Sequence, residues 1–304
     1  MTPIALKVIR PVFRLGGRYA PKLTARLAFE LFCRTPSRRP AGPKARQAHA
    51  EGRRRLASAE TMPFHAGKAR VMAYCLSGGS RETGKRFLVV HGWGSSAAYI
   101  STLAAGLASA GDEVVVLDFP GHGLSGGRRL NMRMAVEAIV EAERRFGPFD
   151  GAVGHSFGGA SLVLAAGGIM SGIKAFSPGR LAVIGAPSRI EWLFEDFADV
   201  LGLSEATRRG LVSHAEAVAG AALSDFDCVP IAYRLGERLL VVHAEDDKEV
   251  DADHARRFAT VPDVKIHWAN GHGHRRIIGV PEVIGLVSDF LKGAGDEEST
   301  STAA

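Results

Sequence analysis

The stretch AVGHSFGGAS, residues 152–161, places one serine among residues with little or no side chain. Ser156 stands two positions after Gly154, and Gly158 and Gly159 follow it two and three positions later. The preceding apolar residues predict a buried strand that ends at Ser156, and the following ones predict a helix. A sharp turn between a strand and a helix strains its central residue and requires neighbours without Cβ atoms. The pattern G-x-S-x-G in this context therefore indicates either a nucleophilic serine or a tight packing turn.

A serine hydroxyl becomes a strong nucleophile only beside a base that a carboxylate orients. Two further predicted strands are followed by residues that could serve as this carboxylate and this base. RLLVVHAE is followed by Asp246 and Asp247, and VKIHWA is followed by a loop that contains His272 and His274. The order serine, acid, histidine is the one that this motif requires. All three turns follow the carboxyl ends of predicted strands, so we expect them at one edge of a sheet.

Strand and helix patterns alternate along most of the chain. MPFHAGKARVMAYCL predicts a hairpin that turns at Ala66, Gly67 and Lys68. Continuous runs of β-branched residues between helices are typical of a parallel sheet covered on both faces. The predicted strands are 86–92, 113–119, 151–156, 180–186, 238–245 and 264–269, and the predicted helices are 97–110, 131–146, 157–170, 251–259 and 281–292. The predicted fold class is therefore α/β, with a mostly parallel central sheet.

One interval, between Pro187 and Arg238, contains no strand-like run. Its segments RIEWLFEDFADVLGL and SEATRRGLVSHAEAVAG predict two helices. An insertion after the carboxyl end of a strand lies where open α/β sheets bind ligands. We therefore expect a helical cap at 188–234, or else a helical excursion without a role in binding. Four of its residues either line an apolar acyl pocket or form the core of the cap itself: Trp192, Leu193, Phe194 and Phe197.

From residue 61 to residue 293 the chain resembles the α/β-hydrolase family. The stretch VVHAEDDKEVD is similar to the family's acid turn G/H-x-x-x-D-x-x-V, with Asp247 three positions before Val250. GHGH is similar to the family's histidine loop G-x-G-H and ends at His274. The resemblance therefore implies Asp247 as the catalytic acid and His274 as the base. Asp246 stays an alternative acid, or else a carboxylate that stabilises a turn or caps a helix. His272 stays an alternative base, or else a loop histidine bonded to backbone.

Two further segments carry the same resemblance. HGWGSS, which begins at His91, is similar to the family's H-G-x loop. This implies an oxyanion hole made of the backbone N–H groups of Trp93 and Phe157, and His91 itself is predicted to be a structural hydrogen-bonding residue. DFPGHGLSGG is similar to the family's turn D-x-P-G-x-G-x-S. We expect its His122 and Ser125 to shape that turn rather than to catalyse.

The positive charge of the chain is concentrated at its N terminus. Residues 1–55 contain 14 Lys and Arg against Glu30 and Glu51, although the net charge of the whole chain is only +6. Cations recur every four residues from Arg10 to Arg26, which places them on one face of a helix. The helices of this basic segment either pack on the main domain with a solvated basic face or contact anionic lipid. Docking on a nucleic acid or on a protein is the remaining alternative. No interleaving of basic and aromatic residues in the main domain suggests a nucleic-acid partner.

Glycine and proline divide this N-terminal segment. They predict one helix before Gly16, a second from Pro21 to about Cys33, and an irregular linker at 34–46. The predicted organisation is a basic N-terminal arm with its linker at 1–60, a hydrolase core at 61–187 and 235–293, the cap at 188–234, and a disordered tail at 294–304.

The cysteines and the apolar runs bear on location. Cys33, Cys75 and Cys228 form no C-x-x-C pair, so we predict neither a disulfide framework nor a zinc site, and a reducing compartment is favoured. The run LAFELFC is far shorter than the ~20 residues of a membrane span. We predict a cytoplasmic protein with, at most, peripheral contact to a membrane.

The resemblance implies a serine hydrolase of the esterase or lipase type that needs no cofactor or metal. Its expected substrate is a small molecule with an acyl ester or thioester bond, cleaved through an acyl-enzyme. Two alternatives stay open. One is an acyltransferase of the same fold, in which an alcohol or amine replaces water. The other is a non-catalytic binding protein of this fold that docks through the basic arm.

Overall fold

The central sheet contains eight strands in the computed structural model, which describes residues 3–77, 84–109 and 111–293, with side chains from residue 9 onward. The strands are β1 Glu60–Ala66, β2 Ala69–Ser77, β3 Arg86–Val90, β4 Glu113–Asp118, β5 Gly151–His155, β6 Arg180–Ile184, β7 Leu239–His243 and β8 Lys265–Trp268. Their order across the sheet is β1-β2-β4-β3-β5-β6-β7-β8. β2 pairs antiparallel with β1 and with β4, and the other neighbours are parallel. The predicted hairpin and mostly parallel sheet are confirmed, and the predicted disordered tail, 294–304, lies outside the described residues.

The described residues also form twelve α-helices. They are α1 Pro3–Tyr19, α2 Pro21–Phe32, α3 Gly42–Arg55, α4 Ala97–Ser109, α5 Met132–Phe146, α6 Phe157–Gly167, α7 Glu191–Leu201, α8 Glu205–Ala219, α9 Val229–Leu235, α10 Asp253–Phe258, α11 Gly273–Arg276 and α12 Pro281–Lys292. Each helix predicted in the main domain is present, with ends that differ by a few residues at most.

Apolar layers lie on both faces of the sheet because successive strand residues point to opposite sides. In β3, Leu88 and Val90 belong to the layer that contains α5 and α6, whereas Phe87 and Val89 belong to the layer with α4 and α12. All four side chains are fully buried, and each such burial contributes about 1.5–3 kcal/mol. The parallel strands all end at one edge of the sheet, where the loops that carry the candidate site residues meet.

The first helix is longer than its sequence indicates. α1 runs unbroken through Pro11, Gly16 and Gly17, so the predicted end before Gly16 is wrong. The two glycines serve close packing. A Cβ atom at Gly16 would lie 2.7 Å from Thr24 Oγ1, and one at Gly17 would lie 2.8 Å from Thr207 Oγ1. They therefore admit α2 and α8 to the surface of α1 instead of ending the helix.

The prediction of an irregular linker over residues 34–46 is wrong for its second half, since the linker in the structure is shorter. It ends at Ala41, because α3 begins with Gly42 and Pro43. The N–H groups of a first helical turn have no partner within the helix, so a proline there costs no hydrogen bond. α3 then packs against α4, where a Cβ atom at Gly52 would overlap the carbonyl oxygen of Ala98.

The helices above the carboxyl edge of the sheet come from two parts of the chain. α7 and α8 are the two predicted cap helices, and α9 follows them and ends at Leu235, one residue beyond the predicted cap. α1 contacts α7, and α2 contacts α8. The ring of Phe29 meets the ring of His214 edge-on at 5.2 Å. The N-terminal arm is therefore packed on the cap and, through α3, on the main domain.

Candidate active site

Ser156 lies in a strained turn between β5 and α6. Its φ of 53° and ψ of −124° are rare for a residue with a side chain. The Ser156 N–H donates to Ile184 O at 2.8 Å. A Cβ atom at Gly154 would lie 2.6 Å from the carbonyl carbon of Gly158, and one at Gly158 would lie 2.5 Å from His91 O. The surrounding packing thus sustains the strain, as is common at functional sites.

His274 and Asp247 form a buried pair. His274 Nδ1 lies 2.7 Å from Asp247 Oδ2, and both side chains are almost fully buried. Asp247 Oδ1 accepts the N–H groups of Glu249 and Val250 at 2.8 and 2.9 Å. Burial raises the pKa of Asp247, but the hydrogen bonds from His274 and the two N–H groups outweigh it and hold that pKa below its usual value. The ionised carboxylate therefore holds the Nδ1 proton of His274 and leaves Nε2 as the nitrogen that can accept a proton.

Ser156 and His274 line the same cavity. Within the described residues, no hydrogen bond joins the Ser156 hydroxyl to His274. Such catalytic hydrogen bonds often form only when substrate is in place. The ring of His274 packs against the ring of His155, with centroids 4.7 Å apart, so the imidazole is held beside the residue that precedes Ser156.

Two backbone N–H groups in the cavity of Ser156 lack a hydrogen-bond acceptor among the described residues. In the part of the chain that the structure describes, neither the N–H of Trp93 nor that of Phe157 has an acceptor. Both residues line the cavity with Ser156. Phe157 is the first residue of α6, and the N-terminus of a helix favours negative charge. The Gly94 N–H donates to His122 Nε2 at 2.9 Å, which fixes the loop that carries Trp93.

A cavity of about 1750 Å³ extends from Ser156 between the main domain, the cap and the arm. In its apolar part, Phe32 of α2 stacks on Phe194 of α7 at 4.5 Å and meets Phe197 edge-on at 5.1 Å. Trp192 and Leu193 line the same cavity. All four predicted cap residues therefore line the cavity, and two of them also form the contact between cap and arm. The pattern of the arm did not indicate that Phe32 belongs to this site.

A sequence profile of the alpha/beta hydrolase family matches residues 87–284. The chain belongs to the alpha/beta hydrolase family. No curated protein sequence matches it.

Solved structures of other alpha/beta hydrolases share the fold. A proposed lipase (lip1) from Acinetobacter baumannii AYE is 16% identical, with a TM-score of 0.60 over 86% of this chain and 100% of that chain. An esterase from Pyrococcus furiosus is 18% identical, with a TM-score of 0.57 over 85% of this chain and 98% of that chain. A meta-cleavage product hydrolase from Pseudomonas fluorescens IP01 is 15% identical, with a TM-score of 0.56 over 77% of this chain and 98% of that chain. At these identities the likeness shows the fold alone.

The alternative acid and base of this alpha/beta hydrolase have different surroundings from Asp247 and His274. Asp246 Oδ1 accepts the N–H of Gly271 at 2.8 Å, so this carboxylate shapes the histidine loop. His272 directly precedes α11, and its carbonyl oxygen accepts from Arg276 Nε at 3.2 Å. Of the two histidines, only His274 pairs with a carboxylate in the described part of the chain.

Three buried histidines hold the loops around the site. His91 Nε2 accepts the N–H of Phe119 at 3.1 Å, and His122 accepts from Gly94 as described above. His155 Nε2 donates to the carbonyl oxygen of His274 at 2.8 Å. Burial lowers the pKa of each of the three to about 4, so they are neutral at pH 7. These histidines fix backbone and are unsuited to accept protons.

His155 is the residue that sequence reasoning missed. It lies at the end of the fully buried strand β5, where a histidine needs hydrogen-bond partners because a buried polar group without them is costly. The sequence feature that could have indicated this role is the position of His155 between Gly154 and the candidate nucleophile Ser156. The structure connects it to the backbone of His274, so one side chain joins the two loops of the site.

Ser125 acts in the turn after β4, in line with its predicted structural role. Its Oγ donates to Asp118 O at 2.5 Å. The carboxylate of Asp118 accepts the N–H groups of Ala97 and Leu124, each at 2.7 Å, and the hydroxyl of Tyr74 at 3.0 Å. The carboxylate of Asp118 and the hydroxyl of Ser125 are therefore both engaged in hydrogen bonds that stabilise the turn.

Three further features of the described residues bear on the class of protein. They contain no group of three or more His, Cys, Asp or Glu that could hold a metal ion. None of their helices is both long enough and apolar enough to cross a membrane. The three cysteines are free, and burial raises the pKa of Cys33 and Cys75 to about 12 and about 11.

Proposed function

We propose that this alpha/beta hydrolase is a serine hydrolase that cleaves an acyl ester or thioester through an acyl-enzyme. The observation that carries the proposal is a strained Ser156 in one cavity with a histidine whose Nδ1 is bonded to a buried carboxylate. A partly buried serine on a strained turn, a base and an orienting acid are the parts that nucleophilic acyl transfer requires.

The proposed reaction begins at the serine hydroxyl. As Ser156 Oγ attacks the acyl carbonyl carbon, His274 Nε2 takes its proton, and Asp247 stabilises the imidazolium that forms. The carbonyl oxygen becomes an oxyanion, to which the N–H groups of Trp93 and Phe157 donate. The tetrahedral intermediate collapses when the bond to the leaving group breaks and His274 gives its proton to that group. Water, activated by His274, then attacks the acyl-enzyme and releases the acid.

The lining of the cavity favours an apolar acyl group. Phe32, Phe194 and Phe197 form a continuous aromatic wall that extends from the cap to the arm. An acyl chain on this wall leaves water, and each buried CH₂ contributes about 0.8 kcal/mol. We therefore propose an ester with a medium or long acyl chain as the substrate class.

Product analysis tests this function against its alternatives. We expect the protein to release free acid from p-nitrophenyl esters, with kcat/KM rising from the acetyl ester to the decanoyl ester. Added glycerol or ethanolamine should leave the free acid as the main product. Transfer of most acyl groups to the added alcohol or amine would identify an acyltransferase instead. A folded protein without turnover of any ester would favour the non-catalytic binding protein.

We further propose that the outer face of α1 and α2 docks on an anionic membrane surface. Five large apolar side chains on it, Val12, Leu15, Tyr19, Leu23 and Leu27, are 54–74% exposed, and they are half of the ten exposed large apolar side chains in the described residues. Arg18, Lys22 and Arg26 are exposed beside them, and the one acidic side chain of α2, Glu30, pairs with Arg129. Exposed apolar patches beside cations are typical of peripheral binding to anionic lipid. The predicted cytoplasmic location stays a prediction.

Sedimentation with vesicles tests this docking face. We expect the protein to bind vesicles of phosphatidylglycerol and phosphatidylcholine and to bind pure phosphatidylcholine weakly, because the cations attract anionic lipid. Leu23→Ser should weaken binding about tenfold or more, since an inserted leucine contributes about 1.5–3 kcal/mol. Tyr233→Ser, an equally exposed position outside the face, is the control. Equal binding by the two variants would contradict the proposal, as would a dimer in gel filtration that Leu23→Ser dissociates.

A further inference from the structure

The segment between α2 and α3 is fixed against the loops of the candidate active site. Thr35 N–H donates to Arg128 O at 3.0 Å, and Thr35 Oγ1 donates to Gly121 O at 3.1 Å. Arg38 Nε also donates to Gly121 O, at 3.0 Å. Pro36 lies against Gly94, where a Cβ atom would be 3.2 Å from Pro36 Cγ. The segment therefore touches both the turn after β4 and the loop of Trp93, one residue away from a proposed oxyanion-hole residue.

This placement brings five cations of the arm to the lining of the cavity. We call them the cationic rim: Arg34, Arg38, Arg39, Lys44 and Arg53. All five are exposed, and none of them forms an ion pair with any described residue. Unneutralised like charges repel one another, so their concentration on one side of a cavity is unfavourable without an anionic partner.

Among the described residues, none of the carboxylates that line the same cavity forms an ion pair with the rim. Asp118 is occupied by the three donors named above, and Glu216 accepts the N–H of Leu223 at 2.9 Å. Glu249 receives both donors of Arg275, at 2.7 and 3.0 Å. The positive field at this side of the cavity is therefore available to a ligand.

We propose that the cationic rim binds a phosphate group carried by the ester substrate, on the part of the substrate that lies toward the mouth of the cavity. This inference rests on the proposed function and names its substrate class: an acyl ester with an apolar chain and an anionic phosphate. The apolar chain lies on the wall of Phe32 and Phe194, the ester lies at Ser156, and the phosphate lies at the rim. Guanidinium groups suit phosphate because their N–H donors match its oxygens in pairs.

Two esters that differ only in the phosphate test this proposal: 1-decanoylglycerol 3-phosphate and 1-decanoylglycerol. Binding is measured with the variant Ser156→Ala, in which no turnover occurs, at concentrations where both lipids are monomeric. We expect the phosphate ester to bind about tenfold more tightly at low salt, with the difference lost in 1 M NaCl, where the Debye length is about 3 Å. Addition of the double substitution Arg39→Gln, Lys44→Gln should remove the preference and leave the binding of 1-decanoylglycerol unchanged.

The matched control is Arg46→Gln, Arg54→Gln in the same Ser156→Ala background. These two residues of α3 are exposed but do not line the cavity. Equal affinity for the two esters, or equal loss of preference in both double variants, overturns the proposal. Competition by free glycerol 3-phosphate would show that the rim binds phosphate in solution as well as on a lipid. Hydrolysis of 1-decanoylglycerol by the protein with Ser156 intact tests the proposed function separately, because this ester carries no phosphate.

Discussion

Replacement of Ser156 by alanine is expected to lower kcat for ester hydrolysis by about 10⁶-fold, the loss seen when a serine hydrolase loses its nucleophile. No other hydroxyl can replace it, because the attacking oxygen must stand on the turn between β5 and α6 beside His274. Alanine retains the Cβ atom and adopts the same backbone conformation, so we expect the unfolding transition to change little.

Labelling with a fluorophosphonate probe checks the same residue without knowledge of the substrate. The protein should take up one label, and Ser156→Ala should take up none. Ser95→Ala, which removes another hydroxyl from the lining of the same cavity, is the control and should be labelled normally. Persistent labelling of Ser156→Ala would show that a different residue is the nucleophile.

The substitution Asp247→Asn is expected to lower kcat/KM by about 10⁴-fold. The carboxylate of Asp247 accepts the Nδ1 proton of His274, which leaves Nε2 free to take the proton of Ser156. An amide at this position can donate to Nδ1, so it stabilises the tautomer with its proton on Nε2, where no proton can be accepted. The positive charge that develops on His274 also loses its counter-ion.

The neighbouring substitution Asp246→Asn provides the matched control for Asp247→Asn. Asp246 Oδ1 accepts only the N–H of Gly271 among the described residues, and an asparagine oxygen can accept the same bond. We expect a change in kcat/KM of less than about tenfold. Steady-state kinetics and circular dichroism of both variants are the measurements. A larger loss from Asp246→Asn than from Asp247→Asn would reverse the assignment of the acid.

The alternation of strands and helices could be predicted from the sequence because it depends on local patterns. The strands of the main domain are short apolar runs such as RFLVV and EVVVLD, and runs of this kind become buried wherever the sheet forms. The candidate nucleophile could also be predicted, since the G-x-S-x-G pattern between a strand and a helix is a local signal, although the packing of Gly158 against His91 O is a contact between distant parts of the chain.

The N-terminal arm was predicted less well because the role of its glycines and prolines depends on distant residues. Gly16 and Gly17 break a helix in isolation, but in the folded chain they make room for Thr24 and Thr207. Likewise, no periodicity within the arm indicates that Phe32 will lie against Phe194. Contacts between segments so far apart in sequence depend on how the arm and the cap fold together.

By itself, the sequence determined the α/β class, the order of the elements and the candidate residues Ser156, Asp247 and His274. The tertiary structure decided which atoms of those residues meet: Asp247 rather than Asp246 faces His274, and His155 ties the histidine loop to the strand of the nucleophile. It also decided that the basic arm lines the candidate site. The physical reason is that backbone turns and burial patterns are set by neighbours in the chain, whereas the distance between side chains from different loops is set by packing of the whole fold.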